Sequence, residues 1–138
     1  MARSITVNAG ERIEVKNTDG EVMGYFYFNP GDPDLIRRCE EVQAETGKIV
    51  DSMKDGLTVE DLAQVNQKLL DQMANILGKG GVDTLFKYNS PLALMDDGSL
   101  YAVYVADIVF AFISEEVQAR SEKMQQQADK YTAKYQQP

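Results

Sequence analysis

The chain has no histidine in 138 residues. That absence removes the commonest general base, the Ser-His and Cys-His nucleophile systems, and most zinc sites. One cysteine, Cys39, excludes an internal disulfide. It falls on an apolar helix face, where a small buried hydrophobe is the expected role. Basic residues are outnumbered by acidic ones, 14 against 22, for a formal charge of -8. This balance opposes non-specific nucleic-acid binding, which depends on neutralising phosphates, and it opposes docking on anionic lipid. The N-terminus, Met1-Ala-Arg-Ser-Ile-Thr-Val7, lacks a secretory apolar core. The long apolar run, Leu100 to Ile113, is about 14 residues, short of the roughly 18 to 20 that suggest a membrane span. The expectation is a soluble, acidic, cytoplasmic protein with neither a membrane nor a nucleic acid as partner.

What is present suffices for a core. A hydrophobic share of 43% argues against wholesale disorder, and the length suits one domain over 1–138. Residues 1–29 read as a β-hairpin or small meander. Ile5 and Val7 alternate with polar neighbours, as do Ile13 and Val15 after the turn signal Asn8-Ala9-Gly10. Asn17-Thr18-Asp19-Gly20 is a hairpin turn, and Val22 to Phe28 is rich in β-formers. Residues 31–138 read as helical, so the fold class is α+β, mainly α: a short β start, then a bundle of three to four helices.

Asp32, Pro33 and Asp34 are a helix start, with Asp32 as cap and Pro33 at the first helical position. Leu35, Cys39, Val42, Thr46, Ile49 and Met53 then recur at helical spacing, predicting a helix over 35–54 that Gly47 weakens and Asp55-Gly56 ends. Thr58 to Asp61 resembles a capping box. Leu62, Val65, Leu69, Met73 and Ile76 predict a helix over 59–77, stopped by Gly78-Lys79-Gly80-Gly81. Val82 to Tyr88 reads as a short helical turn with Val82, Leu85 and Phe86 inward, and Leu92 to Met95 as one more. Ser99 is the expected cap of the last helix.

That last helix, Leu100 to Gln136, is the dominant feature. Its front half is apolar on nearly every face, with Asp107 the one charge before Ile113. Its back half is polar. Val103, Ala106, Phe110, Ile113, Val117, Ser121, Met124, Ala128, Tyr131 and Tyr135 sit at spacings of three and four, strong up to Val117 and weak beyond. Residues 118–136 therefore either project as a solvated end or dock on another helix, in a partner or in a second copy of the chain. Val117, Met124, Ala128, Tyr131 and Tyr135 are the candidate partner-binding residues.

No catalytic, cofactor or metal signature accompanies them. The loop carboxylates Asp32, Asp34, Asp96 and Asp97 lack the alternating ligands and closing Glu of a calcium loop, and capping and turn formation explain both pairs. Gly78-Lys-Gly-Gly81 lacks phosphate-loop spacing and follows no strand. The aromatics from Tyr25 to Phe28, with Tyr101, Tyr104, Phe110 and Phe112, fit a core better than a ligand pocket. Arg37 and Arg38 read as the solvated face of the first helix.

The order of features has a parallel. An extended segment ends in Phe28-Asn-Pro30, and the helix Asp32-Pro-Asp-Leu-Ile-Arg-Arg-Cys-Glu-Glu-Val42 follows. Next comes Asn75-Ile-Leu-Gly-Lys-Gly-Gly-Val-Asp-Thr-Leu-Phe86, and last an apolar helix with a charged tail. This resembles small prophage proteins from tail-morphogenesis regions of low-GC bacteria, which are similar to phage tail assembly chaperones. Gly78, Gly80 and Phe86 match a glycine-rich element of that group; Leu77 stands where an aromatic is more usual, and Lys87 where a second Gly would follow. The resemblance implies a non-enzymatic adaptor in the bacterial host cytoplasm. It would bind the tape measure protein, or another tail protein, by helix-to-helix contact, using the last helix and its groove with the helices at 35–54 and 59–77, and without a cofactor. A minor structural component of the tail or of a related injection particle is the alternative, and a small ligand-binding protein the third reading. A homo-oligomer is compatible with either of the first two.

Overall fold

The computed structural model describes residues 2–8 and 10–136, with side chains up to Lys134. A two-stranded antiparallel hairpin, β1 (Glu11–Lys16) and β2 (Val22–Phe28), precedes three helices: α1 (Asp34–Asp51), α2 (Val59–Leu85) and α3 (Tyr101–Gln136). The mainly helical α+β reading of the sequence is the fold observed.

The hairpin turns where Asn17-Thr18-Asp19-Gly20 places it. Asn17 Oδ1 accepts from the amides of Asp19 at 3.0 Å and Glu21 at 2.9 Å, and Gly20 supplies φ +83°. A register shift at Val15/Lys16 adds a bulge next to the turn. Along β2, Phe26 and Phe28 are buried while Tyr25 and Tyr27 face outward, the alternation of a half-buried strand. The expected extra strand through Ile5 and Val7 is absent: residues 2–8 form no strand, and Ile5 is 89% exposed. Alternation yields a strand only where a free sheet edge and an apolar face receive it, and here nothing covers that face. Asn8 Oδ1 does accept from the Gly10 amide at 3.2 Å, while Ala9 of the expected turn lies outside the described residues.

Helix α1 ends at Asp51 rather than at 54; residues 52–55 continue as tight turns up to Gly56, at φ +92°. Gly47 does not break it. Its cost of about 1 kcal/mol is outweighed by the buried Thr46 before it and the packed Ile49 after it. The helix starts one residue later than the cap reading placed it, with Pro33 in the capping position. Asp32 Oδ1 still accepts from the Asp34 amide, at 3.0 Å. At α2 the capping box is complete: Thr58 Oγ1 accepts from the Asp61 amide at 3.2 Å, and Asp61 Oδ2 from the Thr58 amide at 3.3 Å.

The glycine stretch after Leu77 is a kink, not a stop. Gly78 alone leaves helical geometry, at φ +70° and ψ 173°, and helix resumes to Leu85. The redirected segment lies against β2. A Cβ on Gly81 would sit 2.9 Å from that of Phe26 and 2.8 Å from that of Leu77, so only glycine permits this approach. Thr84 Oγ1 donates to the Tyr25 carbonyl at 3.3 Å alongside.

Residues 92–95 are not helical either; Leu94 bridges to Leu100. This loop replaces Ser99 as the cap of α3. The amides of Tyr101 and Ala102 donate to the carbonyls of Ala93 and Pro91, at 2.7 and 3.0 Å, while Ser99 is turned onto Asp97. Main-chain acceptors satisfy the free amides of the helix start as well as a side-chain cap would. Tyr101 Oη donates to the Leu85 carbonyl at 2.6 Å, and its ring meets Phe86 edge-on at 5.5 Å, tying the start of α3 to the end of α2. Burial pushes its phenol above the ordinary value.

One core draws on β2 and all three helices: Phe26, Phe28, Leu35, Cys39, Val42, Met73, Ile76, Val105, Phe110, Ile113 and Val117 are among its members. Cys39 is the small buried hydrophobe expected, its thiol pushed up chiefly by desolvation. A smaller cluster of Val65, Leu69 and Ala102 closes the other end, under Leu57 and Leu92.

Candidate interaction surface

Helix α3 runs 36 residues, on the order of 54 Å at about 1.5 Å per residue. Ala102, Val105, Ala106, Val109, Phe110, Ile113 and Val117 are buried on its inner face. Val117 is the last of them: every residue from Gln118 to Lys134 is exposed. The tail therefore leaves the body one residue after the apolar stripe weakens, and local interactions support it. Gln125 Nε2 donates to Asp129 Oδ1 at 3.1 Å and Thr132 Oγ1 to the Ala128 carbonyl at 2.9 Å, both one turn apart.

The candidate residues separate accordingly. Val117, 4% exposed, is committed to the chain's own core, because the stripe is still over α1 and β2 when it passes there. Met124 and Tyr131 are 63% and 67% exposed, and Ala128 lies exposed between them. These three line one shallow groove with Gln127, Lys130 and Lys134. The Tyr135 side chain lies outside the described residues.

Two features of the tail's root had no local signal in the sequence. Arg120 forms an ion pair with Glu11 of β1 at 2.6 Å, 109 residues away in the chain. The Pro30-Gly31-Pro33 turn packs beside Val117, Arg120, Ser121 and Met124, forming a second groove that adjoins the first. The Phe28 and Phe112 rings meet edge-on at 5.8 Å just inside this junction.

The other surfaces weighed from the sequence are of a different kind. The groove between α1 and α3 holds Thr46, Val50, Val103, Ala106 and Asp107 in about 320 Å³. A further depression of about 370 Å³ lies between the hairpin tip and α3, bordered by Val15, Met23, Tyr88, Tyr104 and Ile108. Of the aromatic set, Phe26, Phe28 and Phe110 are core and Tyr25, Tyr27 and Tyr104 face out. Asp32 and Asp34 are engaged by arginines. Arg37 Nε reaches Asp34 at 2.6 Å and Arg38 reaches Asp32 at 3.1 Å. The Arg37 hydrogen bond is the main cause holding the Asp34 carboxyl below its ordinary value. Arg37 is thus solvated as expected but paired. No group of three potential metal-ligating side chains occurs among the described residues, and no helix there is long and apolar enough to cross a membrane.

No family model, curated protein or solved structure matches the chain.

Proposed function

We propose that this protein is a phage or prophage tail assembly chaperone or adaptor that engages the tape measure protein through the exposed tail of α3. One observation carries the reading: a helix anchored in the core through Val117 continues as an exposed segment, with Met124, Ala128 and Tyr131 on one stripe. An isolated polar helix of this length is marginal in water, so a helix maintained there is suited to contact with another chain. Helix-to-helix docking covers apolar stripes on a partner without catalysis. The order of strands, turns and helices resembles that of tail assembly chaperones and supports the same reading, which implies a role in the host cytoplasm.

Co-purification from cells expressing the neighbouring tail genes tests it. A tape-measure-like partner is expected with the full chain and absent when the chain is cut after Val117. Failure of the full chain to bring down any tail protein would sink the proposal. Purified mature particles should lack the protein; finding it there would favour a minor structural component instead.

A further inference from the structure

We infer that the tail of α3 selects a partner helix whose apolar stripe is bordered along one edge by carboxylates. This rests on the helix-docking half of the function proposed above and adds the partner's chemistry. Met124 and Tyr131 lie seven residues apart, as do Ser121 and Ala128, the spacing of a coiled-coil seam that continues outward from the buried Val117. At about 3.6 residues per turn, Arg120, Lys123, Lys130 and Lys134 all fall to one side of that seam. Uncharged Gln118, Gln125 and Thr132 flank the other side, and Glu122 and Asp129 lie further round the helix. The two adjoining grooves along the seam include all four cations and, among the described residues, no carboxylate.

The charge of the chain is divided in the same way. Residues 118–138 hold those four cations against Glu122 and Asp129, a net of +2, so the remaining residues carry -10 of the total -8. A partner edge rich in Asp or Glu is attracted to the tail and repelled by the body, which directs it to the seam. Glu11 on Arg120 is one such contact already made within the chain. A second copy fits poorly. Antiparallel pairing of two tails brings like edges together, Arg120 towards Lys134, and parallel pairing sets two acidic bodies side by side.

Two synthetic amphipathic peptides with the same leucine stripe test this, one edged with Glu and the other with Lys, each titrated into the full-length chain by fluorescence anisotropy. At about 50 mM salt the Glu-edged peptide is expected to bind about tenfold tighter, with the gap closing near 1 M as screening shortens to about 3 Å. The triple variant K123E/K130E/K134E should reverse the preference, and its unchanged circular dichroism and melting temperature would exclude misfolding. Met124→Asp should weaken both peptides. Equal binding of the peptides, or a Glu preference that survives the triple variant, overturns the inference. So does binding indifferent to Met124→Asp and competed by duplex DNA, which would make the tail a general polyanion site. A chain that co-purifies with tail proteins yet shows no edge preference loses this inference alone. One that prefers the Glu edge but captures no tail protein loses the assembly role alone.

Discussion

From Tyr101 to Val117, helix α3 places seven side chains in the core; from Gln118 to Lys134 it buries none. Backbone conformation is the same on both sides of Val117. The front half exists because burial stabilises it: Ile113 is fully inaccessible, and burying such a side chain contributes about 1.5–3 kcal/mol. Beyond the Arg120–Glu11 pair at its root, the back half is supported by one-turn contacts such as Gln125 to Asp129, worth a few tenths of a kcal/mol each. Continuity with the packed half avoids a second nucleation cost, so the tail is helical by extension. One half carries stability and the other is free to carry binding.

The largest expected effect is in the front half. Phe110→Ala should cost about 3–5 kcal/mol, read from the denaturant midpoint, since its ring is 4% exposed. A cost below about 1 kcal/mol would mean the core collapses freely there. Gly81→Ala should follow, at about 1–3 kcal/mol, because the new methyl lies under 3 Å from Phe26 and Leu77. Truncation after Val117 should change stability by no more than about 1 kcal/mol, since the main loss is the exposed Arg120–Glu11 pair. If truncation unfolds the chain, the two-part division of α3 is wrong. Native-state hydrogen exchange should show the same boundary, with slow amides through Ile113 and fast ones beyond Arg120.

The smallest effect is electrostatic and lies outside α3. The Asp34 carboxyl is held below its ordinary value by Arg37, so its contribution is present above that ordinary value and fades as pH falls through the lowered one. Asp34→Asn should therefore lower the unfolding midpoint slightly at pH 7 and leave it unchanged at a pH well below the ordinary carboxylate range.

Much of this fold was legible from periodicity. The stripes through Leu35–Thr46, Val65–Ile76 and Phe110–Val117 are local in sequence, and each became a buried helix face. The Asp-Gly turn and the Thr58 capping box were legible for the same reason, as their partners lie within four residues. The errors came where a distant partner decided. Ile5 and Val7 alternate like a strand, yet no sheet edge receives them. Leu92–Met95 read as helix, yet Leu94 bridges to Leu100 and the Ala93 carbonyl, with that of Pro91 just before it, accepts from the first amides of α3. Of the candidate surface, the stripe and its thinning beyond Val117 could be read from spacing; naming Val117 itself as a partner contact was the error, since its side chain is buried in the core.

The sequence by itself determined that a long helix would end the chain and that its apolar stripe would thin beyond Val117, because helix spacing and side-chain polarity are local properties. Only the tertiary structure decided that Gly78 bends α2 so that Gly81 can meet Phe26, and that Glu11 holds the tail at Arg120. Those outcomes depend on which surfaces come within contact distance after the chain has closed on itself, and no run of neighbouring residues encodes a contact across 109 positions.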